Sequence, residues 1–137
     1  MITFFDTNIF VYAIDESESI KRRKATARLE QARAQGTVAL SAQVLHEFYN
    51  VTRSKLKPPL SHDQAAQAIS YLCEFSVLGS SASSVQAALV LKEQHQTSWW
   101  DALILEAALR ADADVLVSED FSHGQRFGKL VVENPFL

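Results

Sequence analysis

Two acidic side chains follow short apolar runs near opposite ends of the chain. Asp6 directly follows Ile2–Phe5, and Asp120 closes the segment Ser118-Glu119-Asp120 after Val115–Val117. Apolar runs of this length are typical of buried strands. In an open parallel sheet, ligands bind at the carboxyl ends of the strands, close to the point where the strand order reverses. We therefore expect Asp6 and Asp120 to meet at one edge of a sheet.

Two further carboxylates lie in segments with helical periodicity. Glu47 is placed at i+3 from Val44 and i−4 from Val51, so it borders the apolar stripe of its helix. Asp101 follows Trp100 near the beginning of the most apolar helical segment of the chain. An ionised side chain among apolar neighbours needs a partner. Both acids are therefore expected to face inward.

Each acid also has a purely structural explanation. Asp6 can cap the turn after the first strand, and Asp101 can belong to a capping box with Ser98. Glu47 can be a half-exposed helical residue and Asp120 an ordinary loop acid. Taken singly, the structural explanation is favoured for every acid except Asp6.

Taken together, the four acids are harder to explain as structural residues. Four carboxylates at one sheet edge, with no Lys or Arg beside them, would repel one another unless they were protonated or bridged by cations. Hard cations that prefer oxygen ligands fit this role best. The pattern therefore indicates a site for Mg²⁺, with Mn²⁺ as a substitute.

The position of these acids depends on alternating strands and helices. The predicted strands are Ile2–Phe5, Thr37–Leu40, Phe75–Leu78, Val115–Val117 and Leu130–Val132, and the predicted helices are 20–35, 41–55, 61–73, 83–94 and 98–110. Strands separated by helices imply a parallel sheet covered on both faces. The predicted fold is therefore α/β, a three-layer α/β/α sandwich with a central, mainly parallel sheet.

The helix predicted over 98–110 is apolar on nearly every side, so we expect it in the middle of the molecule. Its Glu106 is the exception. This glutamate lies four residues before Arg110, and we expect the two to pair on the solvated side of the helix.

Length and composition restrict the class of protein. With 137 residues, 47% of them hydrophobic, the chain is long enough for one domain, residues 1–137, to bury its own core. The single Cys73 cannot form an internal disulfide, and we expect it in the core of a cytoplasmic protein. No apolar run reaches the length of a membrane span, so no membrane association is expected. The net charge of −3 differs from the net positive charge of many nucleic-acid-binding proteins, which counts mildly against a nuclease.

Four motifs occur in order along the chain. They are Asp6-Thr7-Asn8-Ile9-Phe10-Val11-Tyr12, Ser41-x-Gln43-Val44-Leu45-x-Glu47-Phe48, Trp100-Asp101-Ala102-Leu103-Ile104, and Ser118-Glu119-Asp120-Phe121 with Gly124. Their order and spacing resemble those of the PIN-domain family. The ending Asn134-Pro135-Phe136 is similar to that of the VapC-type toxin branch of this family. The resemblance covers nearly the whole chain.

The resemblance implies a PIN-like fold with an acidic site formed by Asp6, Glu47, Asp101 and Asp120. This site would hold one or two Mg²⁺ ions, which activate a water molecule and neutralise charge on a phosphodiester. The implied activity is hydrolysis of RNA by a ribonuclease that is the toxin of a bacterial toxin–antitoxin pair. The resemblance further implies a homodimer and a cognate antitoxin that covers the active site.

The fourth motif departs from the family pattern. Where the family often has Thr-Asn-Asp, this chain has Ser118-Glu119-Asp120. Ser118 retains a hydroxyl donor, whereas Glu119 adds a second carboxylate next to Asp120. We keep Asp120 as the site residue and treat Glu119 as a candidate fifth acid.

Positively charged segments are candidate contacts for an RNA backbone. Arg53-x-Lys55-x-Lys57, at the end of the helix that carries Glu47, is the better candidate. The segment Lys21–Lys24 with Arg28 is explained equally well as a solvated helix face. Trp99 could stack on a base, but an aromatic residue in so apolar a segment is more often part of the core. The four histidines are scattered along the chain, and we assign none of them a role.

Three alternative functions are consistent with a small acidic α/β chain. A receiver-like signalling domain binds Mg²⁺ but needs paired acids after its first strand, and here Asp6 is followed by Thr7-Asn8. A haloacid-dehalogenase-like phosphatase needs Asp-x-Asp there, and Asn8 occupies the second acidic position. A PIN-type module that binds RNA or protein without catalysis is disfavoured because all four acids are present.

Overall fold

The computed structural model describes all 137 residues, and strands alternate with helices along most of the chain. The elements are β1 (Ile2–Phe5), α1 (Thr7–Tyr12), α2 (Ser19–Gln35), β2 (Thr37–Ser41), α3 (Ala42–Ser54), α4 (His62–Leu72), β3 (Ser76–Leu78), α5 (Ala82–His95), α6 (Trp99–Arg110), β4 (Val115–Val117), β5 (Arg126–Phe127) and β6 (Leu130–Glu133). Ten of these twelve were predicted from periodicity, with ends that differ by one or two residues.

The six strands form one sheet in the order β3-β2-β1-β4-β6-β5. All neighbouring strands are parallel except β5, which runs antiparallel to β6. From β1 the chain first builds the sheet outward through β2 and β3, and then returns to place β4 on the other side of β1. The order therefore reverses between β1 and β4, which is the place where a parallel sheet opens a ligand site.

Helix ends follow the capping signals in the sequence. The Ser41 side chain accepts a hydrogen bond from the backbone N–H of Val44, and Ser61 and Gln64 form the expected capping box at the beginning of α4. Gly36, between α2 and β2, is required by a close approach. A Cβ there would lie 2.1 Å from the carbonyl oxygen of Met1, which accepts the Thr37 amide. This contact places the beginning of β1 against the beginning of β2.

The core is built around the two central strands, where Phe4, Phe5, Leu116 and Val117 are completely buried. Helix α1 packs against both α2 and α3, α3 packs against α4, and α5 packs against α6 as a second group. The predicted α/β/α fold with a mainly parallel sheet is confirmed. No helix is both long enough and apolar enough to cross a membrane.

Two elements were missed by sequence analysis. The helix α1 has only six residues, fewer than two turns, so it carries no periodic signal; it forms because Asp6 caps it and Ile9 and Phe10 are buried. The two-residue strand β5 is held by pairing with β6 and is likewise too short to leave a pattern.

Three predictions about burial were wrong. Cys73 lies just past the end of α4 and is exposed, not in the core. Glu106 is buried, 7% exposed, although it does pair with Arg110 as expected. The helix α6 is not covered on all sides, since Trp100 is 61% exposed and Leu109 is 37% exposed. Helical spacing alone did not define which side of α6 the rest of the chain covers.

Candidate active site at the carboxyl edge of the sheet

Asp6 is the best defined side chain of the candidate site. It follows the last residue of β1 and caps α1, where its Oδ1 accepts the Thr7 amide at 2.7 Å. Its Oδ2 accepts a hydrogen bond from the Ser118 hydroxyl at 2.7 Å. Only 5% of Asp6 is exposed. The structural explanation for Asp6 is thus correct as far as capping goes, but only one of its two oxygens serves the cap.

Ser118 connects the ends of the two central strands. It follows β4, and its buried hydroxyl donates to Asp6 while accepting the backbone N–H of Asp120 at 3.0 Å. The Ser118 hydroxyl therefore positions both the Asp6 carboxylate after β1 and the Asp120 backbone after β4. Ser118 performs the hydrogen-bonding role that the fourth motif suggested for it.

Glu47 reaches the same edge from α3. Its Oε1 accepts hydrogen bonds from the Thr7 hydroxyl at 3.2 Å and from the Gln43 side-chain amide at 2.9 Å. Thr7 thus joins α1 to α3 while its own amide is bonded to Asp6. Sequence analysis missed both partners of Glu47, although Gln43 lies at i−4 on the same helix, a spacing that brings side chains together.

Asp101 and Asp120 complete the group. Asp101 lies in the first turn of α6, half-buried, and its backbone N–H donates to the Ser98 cap at 3.1 Å. The return hydrogen bond to the Ser98 backbone that would complete a capping box is absent, although a side-chain hydrogen bond with Ser98 opposes the increase that burial causes in the pKa of Asp101. Asp120 is exposed in the loop after β4.

The four carboxylates are close enough to affect one another. Burial raises the pKa of Asp6 to about 7, with smaller increases from Asp120 and Glu47, although the hydrogen bonds from Ser118 and Thr7 oppose the shift. Burial also raises the pKa of Asp101, and Asp120 and Glu47 add to the increase. No lysine or arginine lowers either pKa. The four predicted acids therefore share one region at the point where the strand order reverses.

This donor set suits a hard divalent cation. Its oxygen atoms are the ligands that Mg²⁺ and Mn²⁺ prefer, and a cation would supply the positive charge that the neighbouring side chains do not. No three acidic, histidine or cysteine side chains lie close enough together to hold a metal ion by themselves. Mg²⁺ usually keeps several water molecules and binds one or two carboxylates, so an open set of this kind fits it better than an all-protein cage would.

Glu119, next to Asp120 in sequence, has a different environment. Its carboxylate accepts hydrogen bonds from the Tyr12 hydroxyl at 2.9 Å and from the Lys21 ammonium at 3.3 Å. The ammonium of Lys21 also lies over the rings of Tyr12 and Phe136, at 4.5 and 5.2 Å from their centroids. Both oxygens of Glu119 are therefore already engaged by groups outside the acidic cluster.

The basic segments are more structural than expected. Arg28 is not a solvated residue, because it is 8% exposed and forms an ion pair with Glu133. The Arg53 guanidinium donates to the carbonyl oxygen of Leu60 at 3.0 Å and lies beside the Tyr49 ring. Lys55 and Lys57 are exposed without an ion-pair partner. The four histidines are exposed as well.

Comparison with solved structures supports the fold across the whole chain. One matching chain comes from a toxin–antitoxin complex of Klebsiella pneumoniae, with 21% identity, a TM-score of 0.71, and 97% of each chain covered. A second comes from VapBC2 of Rickettsia felis bound to a promoter DNA fragment, with 27% identity, a TM-score of 0.68, and 98% of each chain covered. A third is VapC20 of Mycobacterium tuberculosis, a toxin that cleaves the sarcin-ricin loop, with 16% identity, a TM-score of 0.61, and coverage of 83% and 86%.

Comparison with curated proteins finds no match. The family profile of the PIN domain, in contrast, matches residues 3–125. This range contains all four carboxylates and both central strands. The chain therefore belongs to the PIN domain family.

Proposed function

We propose that this protein is a metal-dependent ribonuclease that hydrolyses RNA phosphodiester bonds at the cluster formed by Asp6, Glu47, Asp101 and Asp120. One observation carries the proposal. Four carboxylates share the carboxyl edge of the central strands, one of them buried with a pKa of about 7, and no basic side chain compensates them. Such an arrangement is costly to a folded chain unless a cation binds there.

The residues of the chain position the carboxylates for this task. Asp6 accepts hydrogen bonds from Thr7 and Ser118, and Glu47 accepts hydrogen bonds from Thr7 and Gln43. Thr7 therefore helps to position both carboxylates. Asp101 is fixed by the first turn of α6, and the exposed Asp120 can adjust. When bound, Mg²⁺ activates a water molecule for attack on phosphorus and neutralises charge on the phosphodiester. The protein supplies position and charge, and no covalent nucleophile is needed.

Cleavage of RNA by the purified protein tests this proposal. We expect cleavage with Mg²⁺ or Mn²⁺, none with EDTA, and recovery when Mg²⁺ is added in excess of EDTA. Undiminished cleavage in EDTA would contradict the metal mechanism. RNA binding without cleavage under every metal condition would instead support a non-catalytic PIN module.

The proposed biological role is that of the toxin in a toxin–antitoxin pair. It is supported by the solved relatives, two of which are named as toxin–antitoxin or VapBC assemblies and one as a toxin that cleaves RNA. We expect expression of the chain to arrest growth of a bacterial host, and a small protein encoded beside its gene to relieve the arrest. An active nuclease that leaves growth unaffected would count against the toxin role but not against the nuclease.

The proposal includes a homodimer. Apolar side chains on the outer side of α5 and α6 are exposed, namely Leu89, Val90 and Leu109. Contiguous exposed apolar surface on a small protein is often an interface. If a second copy covers this surface, Val90→Glu should convert the dimer to a monomer in sedimentation velocity, whereas Gln67→Glu, at an exposed position of α4, should not.

A further inference from the structure

A groove of about 540 Å³ adjoins the acidic cluster. One wall is a face of α3, and the other is the beginning of α6. The residues on these walls are Gln43, His46, Glu47 and Asn50 from α3 and Trp99, Trp100 and Leu103 from α6, and Ala42, Ser80 and Val85 complete the lining. The α3 residues are spaced i, i+3, i+4 and i+7, so they share one side of the helix. Glu47 belongs both to this groove and to the acidic cluster.

The α6 wall carries an unusual amount of exposed aromatic surface. Trp100 is 61% exposed, although it directly precedes Asp101, and Trp99 beside it is half-buried. A large aromatic side chain that is left in solvent beside a candidate active site contributes little to the core. Its ring is available to a ligand.

The two walls are physically joined. The side-chain amide of Gln43 donates to Glu47 Oε1 at 2.9 Å and approaches the Trp100 carbonyl oxygen at 3.4 Å. A ligand seated against Trp100 would therefore lie beside a side chain that also positions Glu47. Gln43 thus links the α6 wall of the groove to Glu47 of the acidic cluster.

The chemistry of the groove selects a class of ligand. It contains two indoles together with the amides of Gln43 and Asn50 and the imidazole of His46, and it contains no lysine or arginine. Indoles stack on the flat faces of bases, and amide and imidazole groups form hydrogen bonds with base edges. Without a basic residue the groove cannot serve as a phosphate channel. The combination of an aromatic wall with amide and imidazole groups on the facing wall suits a nucleobase, which has a flat face and polar edges.

We propose that this groove is a subsite for one unpaired base of the RNA strand, stacked on Trp100, next to the phosphodiester that reaches the acidic cluster. The inference rests on the nuclease function proposed above and specifies its substrate. A base can enter the groove only if it is unstacked from its own strand, so the subsite would hold one nucleotide beside the scissile phosphodiester. Trp100 is a specificity-determining residue in this proposal.

The chain offers a direct probe, because Trp99 and Trp100 are its only two tryptophans and both line the groove. Intrinsic tryptophan fluorescence therefore reports on this site alone. The titrants are a short oligoadenylate and an abasic ribose-phosphate oligomer of the same length and charge, added in EDTA so that the RNA stays intact. We expect saturable quenching by the oligoadenylate and little quenching by the abasic oligomer. Equal quenching by both, or by neither, would overturn the proposal.

Variants of Trp100 refine the measurement. Trp100→Ala should weaken oligoadenylate binding roughly 5- to 150-fold, which corresponds to about 1–3 kcal/mol per stacked base at about 1.36 kcal/mol per factor of ten. Trp100→Phe should recover part of the loss, since it restores a stacking surface. Tyr71→Ala is the matched control, because Tyr71 is an exposed aromatic residue on α4, outside the groove. Binding that is unchanged in Trp100→Ala would overturn the base subsite and leave the groove to a protein partner.

Failure of this proposal and failure of the nuclease can be told apart. The quenching experiment needs no metal and no cleavage, whereas the nuclease is tested by cleavage with Mg²⁺. In an active enzyme, Trp100→Ala should raise KM more than it lowers kcat, because the residue binds the substrate and does not touch the reacting atoms. Cleavage with unaltered KM in Trp100→Ala would overturn the subsite while the nuclease stands.

Discussion

Acidic side chains of this protein lie in two kinds of environment. Outside the acidic cluster, the buried and half-buried glutamates have basic partners: Glu106 with Arg110, Glu119 with Lys21, and Glu133 with Arg28. Within the cluster, Asp6 and Glu47 have only hydroxyl and amide partners, and neither Asp101 nor Asp120 forms an ion pair. The fold is thus able to compensate acids and does so elsewhere.

The contrast between the paired glutamates and the unpaired cluster shows that the cluster is not built for the greatest stability of the metal-free chain. Pairing a half-buried glutamate with lysine or arginine avoids an uncompensated charge. Leaving four carboxylates together destabilises the metal-free chain, because each favours protonation of the others. Violations of this kind are expected at functional sites. Substitutions of acids in the two environments should therefore have different effects on RNA cleavage and on the free energy of unfolding.

The largest difference in the effect on cleavage is expected between Asp101 and Glu106, two acids of α6. Asp101→Asn should lower cleavage at least about 100-fold, since loss of a metal-site acid should exceed the 10- to 100-fold typical of its supporting residues. Glu106→Gln should leave cleavage per folded molecule unchanged while lowering the free energy of unfolding by about 1 kcal/mol, because Arg110 keeps a hydrogen-bond acceptor but loses its charge partner. Cleavage rates and urea unfolding of both variants measure this. Equal losses of activity would contradict the distinction between the two environments.

A smaller loss of activity than in Asp101→Asn is expected when the Ser118 hydroxyl, which links the ends of β1 and β4, is removed. Ser118→Ala deletes a donor to Asp6, and this hydrogen bond lowers the Asp6 pKa. The Asp6 pKa should rise further, so that Mg²⁺ competes with a proton more strongly as the pH falls. We expect a 10- to 100-fold weaker response to Mg²⁺, most pronounced below neutral pH. Mg²⁺ titrations of cleavage at several pH values test it, with Ser122→Ala in the same loop as the control. A loss independent of pH would assign Ser118 a purely structural role.

The stability of the metal-free protein should move in the opposite direction from its activity. The folded-state pKa of Asp6 is raised from 3.8 to about 7, so the folded chain holds a proton that the unfolded chain releases. Stability in EDTA should therefore decline as the pH rises from about 4 through about 7, and the penalty should be complete above that range. Asp6→Asn removes this penalty while keeping one acceptor oxygen for the Thr7 amide.

We accordingly expect Asp6→Asn to melt a few degrees higher than the wild type in EDTA at pH 8, and the difference to shrink at pH 4. Mg²⁺ should stabilise the wild type by about 2.7 kcal/mol at one hundred times its dissociation constant, and the variant by much less. Thermal melts in EDTA and in Mg²⁺ decide the matter. A lower melting temperature together with an undiminished response to Mg²⁺ would make Asp6 a structural cap only.

The smallest effect is expected for Glu119. Because both of its oxygens are bonded to Tyr12 and Lys21, Glu119→Gln should leave cleavage close to the wild-type level and change the free energy of unfolding by about 0–1 kcal/mol. Asp120→Asn, one residue further on, should lose most of the activity. Similar losses in the two variants would place Glu119 in the metal site as a fifth acid.

Local patterns were sufficient to predict most of the fold. Apolar runs indicated the strands that form the parallel part of the sheet, and serine caps and Gly36 indicated where helices begin and end. These signals depend on neighbours within a few residues, so they can be read without the tertiary structure. Short elements such as α1 and β5 escaped because they are stabilised by contacts with distant parts of the chain.

The proximity of the four acids was predictable from the sequence, but their environment was not. The rule that ligands bind where parallel strands end brought Asp6 and Asp120 together, and helical spacing brought Glu47 inward. The sequence did not indicate which acids would form ion pairs with lysine or arginine. Arg28 meets Glu133 across 105 positions of sequence, and Lys21 meets Glu119 across 98.

The sequence by itself determined the order of strands and helices, the class of fold and the acids that the central strands bring to one edge. The tertiary structure decided which charges are neutralised, which side of α6 is covered and where Trp100 remains exposed. The physical reason is the range of the interactions. Periodicity and capping act over a single turn or strand, whereas burial and ion pairing depend on surfaces that meet only after the chain has folded.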